Sequence, residues 1–126
     1  MDAYFARLGD LWFPLLDHNL KTTLEQPEPS RSDCHGWGSH PLYHDYASIL
    51  GIRPAGLGFR MVTIQPQFGP LTHVSGTLMH PQGEIMVDLY RERDTYRGRI
   101  ALPNGISAIA ELGQRSVGLQ AGLNHV

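Results

Sequence analysis

Arg53-Pro-Ala-Gly-Leu-Gly-Phe59-Arg60-Met-Val-Thr-Ile-Gln-Pro66 is the stretch in which the chain changes period. After Phe59, the residues Arg60, Val62 and Ile64 alternate with Met61, Thr63 and Gln65, the two-residue repeat of a strand. Pro66 closes the run, because it has no amide proton to give to a ladder. Upstream the repeat is helical. Tyr4, Leu8, Leu11 and Trp12 recur at helical spacing and predict an amphipathic helix over residues 2–13, with Phe5 and Leu15 widening its apolar stripe. Pro14 removes a backbone donor there, so residues 15–20 read as a separate turn. A second helix is expected over residues 41–50: Pro41 suits a first helical position, Gly51 is a natural stop, and Tyr43, Tyr46, Ala47 and Leu50 supply an inner face.

Downstream the strand pattern persists. Ile85, Val87 and Leu89 alternate with Met86, Asp88 and Tyr90, and Ile106, Ala108, Ala110 and Leu112 do so around Ile109 and Glu111. Gly69-Pro70, Pro81-Gln-Gly83, Asp94-Thr95 and Pro103-Asn-Gly105 punctuate the strands at the spacing of an antiparallel sandwich. Residues 118–126 carry no clear pattern and are expected to fray. The fold class is therefore α+β, a short helical segment followed by an antiparallel β-sandwich, divided into residues 1–55 and 56–126. Each part falls near or below about 70 residues, where one core barely offsets chain entropy. Two helices cannot close a bundle, so residues 1–55 are expected to end a larger helical domain. Their uncovered apolar faces favour self-association.

Bulk properties exclude several partners. A formal charge of −2 argues against nucleic acid, whose phosphates need a clustered basic surface. Arg91, Arg93, Arg97 and Arg99 are interrupted by Glu92 and Asp94, which reads as a solvated hairpin. No apolar run approaches the roughly 18 residues of a membrane span. No signal peptide is visible after Met1, and the single Cys34 fits a reducing compartment. A cytoplasmic setting is the expectation, although the start of a fragment says nothing about its parent's leader.

The chemistry concentrates between the helices, in residues 21–41. Glu25 follows Thr22 and Thr23, whose hydroxyls can orient a carboxylate, and lies a short loop from His35 and Trp37. A water-activating carboxylate and an aromatic platform are recurrent parts of glycosidase sites. Read alone, Glu25 is more simply a solvent-exposed acid at a helix end. Glu28 and Asp33, near Arg31, read as ion-pair or turn formers. Cys34, His35, His40 and His44 match no specific zinc signature, and a Cys34–His35 nucleophile pair fails because adjacent side chains rarely face each other. Neither a metal nor a cofactor is expected. Trp12 belongs to the helix stripe, whereas Trp37, between Gly36 and Gly38, has room for a ligand.

Thr22-Thr-Leu-Glu25, Pro27-Glu-Pro-Ser-Arg-Ser-Asp-Cys-His35-x-Trp37, His40-Pro41, Gly51-Ile-Arg-Pro-Ala55 and Gly58-Phe59 together resemble the C-terminal end of bacterial α-L-rhamnosidases. The similarity continues through Ile64-Gln-Pro66, Gly69-Pro-Leu71 and Pro81-Gln-Gly83, roughly residues 20–90. Those enzymes are inverting glycoside hydrolases with an (α/α)6 toroid followed by a β-sandwich. The resemblance implies that residues 1–55 end the toroid, that Glu25 is the general base, and that His35 and Trp37 contact the sugar of rhamnose-containing glycosides. Leu24 and Lys21 depart from an aromatic and a glycine frequent in the family. Inversion needs a second carboxyl group, and no stretch before Glu25 resembles the family's acid motif, so the isolated chain is expected to be inactive. The alternative expectation is a non-catalytic carbohydrate-binding or interaction module built on the sandwich.

Overall fold

The computed structural model describes residues 1–26 and 29–126, in two units, Met1–Asp45 and Tyr46–Val126. In the first unit, helix α1 spans Asp2–Leu11. It gives way to a 3-10 turn over Phe13–His18 that carries Pro14 in its first turn and ends on Asn19 at φ 51°. The proline thus tightens and redirects the chain where sequence placed the break. Helix α2 covers only His40–His44, with Pro41 in its first turn. The Tyr4 hydroxyl ties α1 to this region, donating to the Pro41 carbonyl at 3.2 Å beside the Asp45 carboxylate at 3.5 Å. Burial, followed by the neighbouring Asp45 charge and hydrogen bond, pushes the Tyr4 phenol up to about 12. Burial likewise raises Asp45. Among the described residues, Leu24 is the one fully buried apolar side chain of this unit.

The helical run expected over residues 41–50 is present over residues 40–49, with its second half corrected in type. Beyond α2 the backbone widens into a π-turn over Asp45–Ile49, and Tyr43, assigned from sequence to the inner face, is 67% exposed. Ala47 and Leu50 are buried as expected. Gly51 ends the turn at φ 73°. A Cβ here would collide with the backbone of Gln65 and Pro66, so glycine is needed for both its left-handed geometry and the close approach.

The second unit holds two four-stranded sheets. Strands β1 (Ile52–Pro54), β2 (Met61–Ile64), β6 (Ser107–Leu112) and β7 (Arg115–Leu119) form one, in the order β1-β2-β6-β7. Strands β3 (His73–His80), β4 (Gly83–Glu92), β5 (Thr95–Leu102) and β8 (Gly122–His125) form the other, in the order β3-β4-β5-β8. All pairs are antiparallel except β2 and β6, which run parallel with Val62 opposite Ala108 and Ile64 opposite Ala110. The alternation read from sequence is the burial pattern observed. Val62, Ile64, Ile85, Val87, Leu89, Ile100 and Ala110 have no exposed surface and join Phe68 in one core.

The residues expected to fray do not. Residues 118–119 finish β7, and β8 pairs with β5 through Arg99 opposite His125 and Leu102 opposite Gly122. The inward positions of β8 are Gly122 and Asn124 rather than apolar residues, so no hydrophobic alternation marks the strand. Asn124 replaces apolar burial with hydrogen bonds, its amide donating to the carbonyls of Gln120 at 2.9 Å and Ile100 at 3.2 Å.

Candidate functional site

Residues 22–25 and 32–35 run side by side in the loop between the helical segments. The Glu25 amide donates to the Ser32 carbonyl at 2.9 Å, and the His35 amide to the Thr23 carbonyl at 2.8 Å. The two threonine hydroxyls complete this clasp. Thr22 donates to the Asp33 carbonyl, and Thr23 to the His35 carbonyl at 2.6 Å. Their expected role beside the Glu25 carboxylate is therefore corrected: hydroxyls this close to unpaired carbonyls satisfy the backbone first.

The Glu25 carboxylate is instead held by Arg31, whose Nε donates to Oε2 at 2.9 Å while a terminal guanidinium nitrogen pairs with Oε1. The partners differ sharply in exposure, 8% for the Glu25 side chain against 79% for Arg31. The ion-pair role expected for Glu28 falls outside the described residues, and Asp33 is exposed with its carbonyl engaged by Thr22.

Aromatic groups pack against the backbone of this loop. The Trp37 indole donates to the Glu25 carbonyl at 3.2 Å, and the ring remains 63% exposed. His35 lies against it, ring centroids 4.1 Å apart at 35°. The Nδ1 of His35 is buried and lacks a hydrogen-bond partner among the described residues, a costly condition for a polar atom. Trp12 donates to the Gly38 carbonyl at 2.8 Å and meets His40 edge-to-face at 5.0 Å. Gly38 packs so tightly on Thr23 and Leu24 that no side chain fits there.

A cavity of about 190 Å³ opens among Leu11, Trp12, Leu24, Glu25, Trp37 and His40. Its lining is largely apolar, as the linings of small-ligand sites are. Glu25 and Trp37 both line it, whereas His35 is not part of its wall and stands against Trp37. His40, at the first position of α2, faces the cavity and turns its Nδ1–H to the Trp37 carbonyl at 3.0 Å. Sequence reading weighed His40 as a metal ligand and assigned it no place in a site. Among the described residues no group of three or more His, Cys, Asp or Glu side chains could hold a metal ion. Among the described residues no helix is long and apolar enough to cross a membrane.

A second cluster, missed in the sequence, lies in the second unit on the β3-β4-β5-β8 sheet. His73 donates to Asp88 Oδ1 at 2.9 Å, Arg99 donates to Asp88 Oδ2 at 2.8 Å, and His73 stacks on Tyr90 at 4.1 Å and 10°. The hydrogen bonds from Arg99 and then His73 hold the Asp88 carboxyl below the usual carboxylate range. Cross-strand alternation places these residues on one face, but the partner strand of each was not readable from one sequence.

The sequence model of the bacterial α-L-rhamnosidase C-terminal domain matches residues 51–120, over half of the chain. The chain belongs to this family. Three solved α-L-rhamnosidases share its fold. The Streptomyces avermitilis enzyme, in complex with L-rhamnose, superposes with a TM-score of 0.71 at 18% identity, over 90% of this chain and 14% of its own. The Dictyoglumus thermophilum enzyme gives 0.69 at 14% identity, over 88% and 16%. The Aspergillus terreus enzyme gives 0.71 at 20% identity, over 91% and 15%. The chain thus spans about one seventh of the length of these rhamnosidases. No curated protein matches it. The rhamnosidase C-terminal domain accounts for the sandwich, whereas the loop around Glu25 lies before the matched residues.

Proposed function

We propose that residues 1–55 are the end of a helical glycosidase domain and residues 56–126 its C-terminal sandwich, in a parent enzyme that hydrolyses terminal α-L-rhamnose with inversion. In this reading Glu25 is the general base that deprotonates the attacking water, and His35 and Trp37 contact the sugar. One observation supports it: Glu25, whose side chain is nearly withdrawn from solvent, is among the residues that line an apolar cavity with Trp37. A carboxylate offers about four lone-pair positions. Arg31 takes two of them, which leaves two for a water.

The buried, unpartnered Nδ1 of His35 supports a polar ligand or a further protein group at that position. Inversion sets a second carboxyl group about 6.5–9.5 Å from the base, across the scissile bond. The parent supplies that acid from another segment, so the isolated chain turns over no substrate.

The test has two arms. The chain alone is assayed on an aryl α-L-rhamnoside, where measurable turnover contradicts the missing acid. In the full parent, Glu25→Gln is expected to lower kcat by roughly 10²–10⁴; an unchanged kcat removes Glu25 from the base role.

A further inference from the structure

The outer face of the β3-β4-β5-β8 sheet is ordered in transverse rows. One row runs Ser75, Asp88, Arg99, His125 across the four strands, and the next runs His73, Tyr90, Arg97 across three. Inward neighbours Val87, Leu89 and Ile100 are buried, so these rows face solvent. Between Tyr90 and the residues Arg97, Arg99 and His125 lies an open cleft of about 420 Å³, within the range of small-ligand clefts.

Three features define what this cleft accepts. Its aromatic wall is braced: Tyr90 is 44% exposed and its ring is stacked on His73, which Asp88 holds, which Arg99 holds in turn. A fixed flat ring offers apolar contact at little cost in ordering. Its guanidinium groups are available: the one acid in these two rows, Asp88, has both oxygens engaged, Arg97 has no ion-pair partner among the described residues, and the Val126 carboxyl group at the cleft's edge accepts the Gly98 amide at 3.0 Å. Glu92, one row nearer the β4–β5 hairpin, makes no ion pair with it. Its polar groups are forked donors, which match a carboxylate.

We propose that this cleft binds a carboxylated sugar, the ring's C–H face on Tyr90 and the carboxylate on Arg97 and Arg99. An aromatic wall alone suits any sugar, and guanidinium groups alone suit any anion; a uronate uses both. The site lies within the sandwich unit and does not depend on Glu25, so its failure and that of the catalytic reading are separable.

The experiment titrates the full chain, followed by amide NMR, with sodium D-glucuronate, its uncharged methyl ester, sodium acetate and a tetraglutamate peptide. Glucuronate is expected to saturate shifts at Tyr90, Arg97 and Gly98. The ester, acetate and the peptide should each bind roughly tenfold more weakly, the loss of one charge-assisted contact or of the ring contact. Arg97→Ala, an exposed change with no partner to orphan, should weaken glucuronate by a similar factor, as should Tyr90→Ala. Equal binding of the ester overturns the carboxylate contact. Equal binding of acetate or tetraglutamate overturns the sugar, and absence of saturation or an unaltered Arg97→Ala titration overturns the site.

Discussion

Arg31 holds Glu25 through both carboxylate oxygens while remaining almost wholly in solvent, 79% exposed against 8% for its partner. The pair closes the loop that sets residues 22–25 beside 32–35, so a residue that lines the cavity also helps to hold the loop. Catalysis by Glu25 would use the lone pairs that the guanidinium leaves free.

That arrangement predicts a measurable but modest coupling. A double-mutant cycle with Glu25→Gln and Arg31→Ala, followed by denaturant unfolding of the isolated chain, should give a coupling energy near the top of the roughly 0.2–1 kcal/mol typical of exposed pairs. The solvent around Arg31 keeps it from reaching buried-pair values. A coupling indistinguishable from zero would mean that the loop is held by its backbone and threonine bonds alone.

Unfolding should proceed in two steps. Both tryptophans of the chain, Trp12 and Trp37, belong to Met1–Asp45. Leu24 is that unit's one buried apolar side chain among the described residues, whereas the sandwich unit carries the continuous core from Leu50 to Leu119. Tryptophan fluorescence therefore reports the first unit, and the strand signal in far-ultraviolet circular dichroism reports the second. The fluorescence midpoint is expected at the lower denaturant concentration. Coincident midpoints would show that the two units unfold as one.

The legible parts of this molecule share a cause. Val62, Ile64, Ile85, Val87, Leu89, Ala108, Ala110 and Leu112 announced their strands because one face of each is buried and apolar. Strand β8 was invisible because its inward residues are Gly122 and Asn124, and the asparagine earns its place through hydrogen bonds. The parallel pairing of β2 with β6 is a long-range choice that no local period records. At the site, Glu25, His35 and Trp37 were legible as residue types, and the resemblance to rhamnosidases supplied the roles proposed for them. The Glu25–Arg31 pair was not, since Arg31 has Glu28 and Asp33 nearer in sequence and only the clasp of the loop selects among acids.

Tyr4 makes the first unit sensitive to alkali. Its phenol is raised from 10.0 to about 12, chiefly by burial and then by Asp45. A raised folded-state value means that the folded chain keeps the proton where the unfolded chain has lost it. The associated stability is fully present below pH 10 and is lost as pH rises toward 12. Fluorescence-monitored stability should fall across that window in the wild type, and Tyr4→Phe should flatten the dependence. An equal slope in the variant would assign the alkaline loss to other groups.

Gly51→Ala tests the link between helix end and sheet. Gly51 stands at φ 73°, its carbonyl accepts the Gln65 amide at 3.0 Å, and a Cβ would run into Gln65 and Pro66. The left-handed geometry alone costs a non-glycine residue about 1–2 kcal/mol, and the collision with backbone adds to it because neither segment can yield without moving β1 against β2. Gly118→Ala is the control: it sits in β7 with open space around its Cβ and no left-handed φ, so its effect should stay within about 0.5 kcal/mol. Both are read from the circular dichroism transition of the sandwich unit. A loss at Gly51 no larger than at Gly118 would show that the chain relaxes around the added methyl group, and that the close approach to Gln65 is not required to join the π-turn to the sheet.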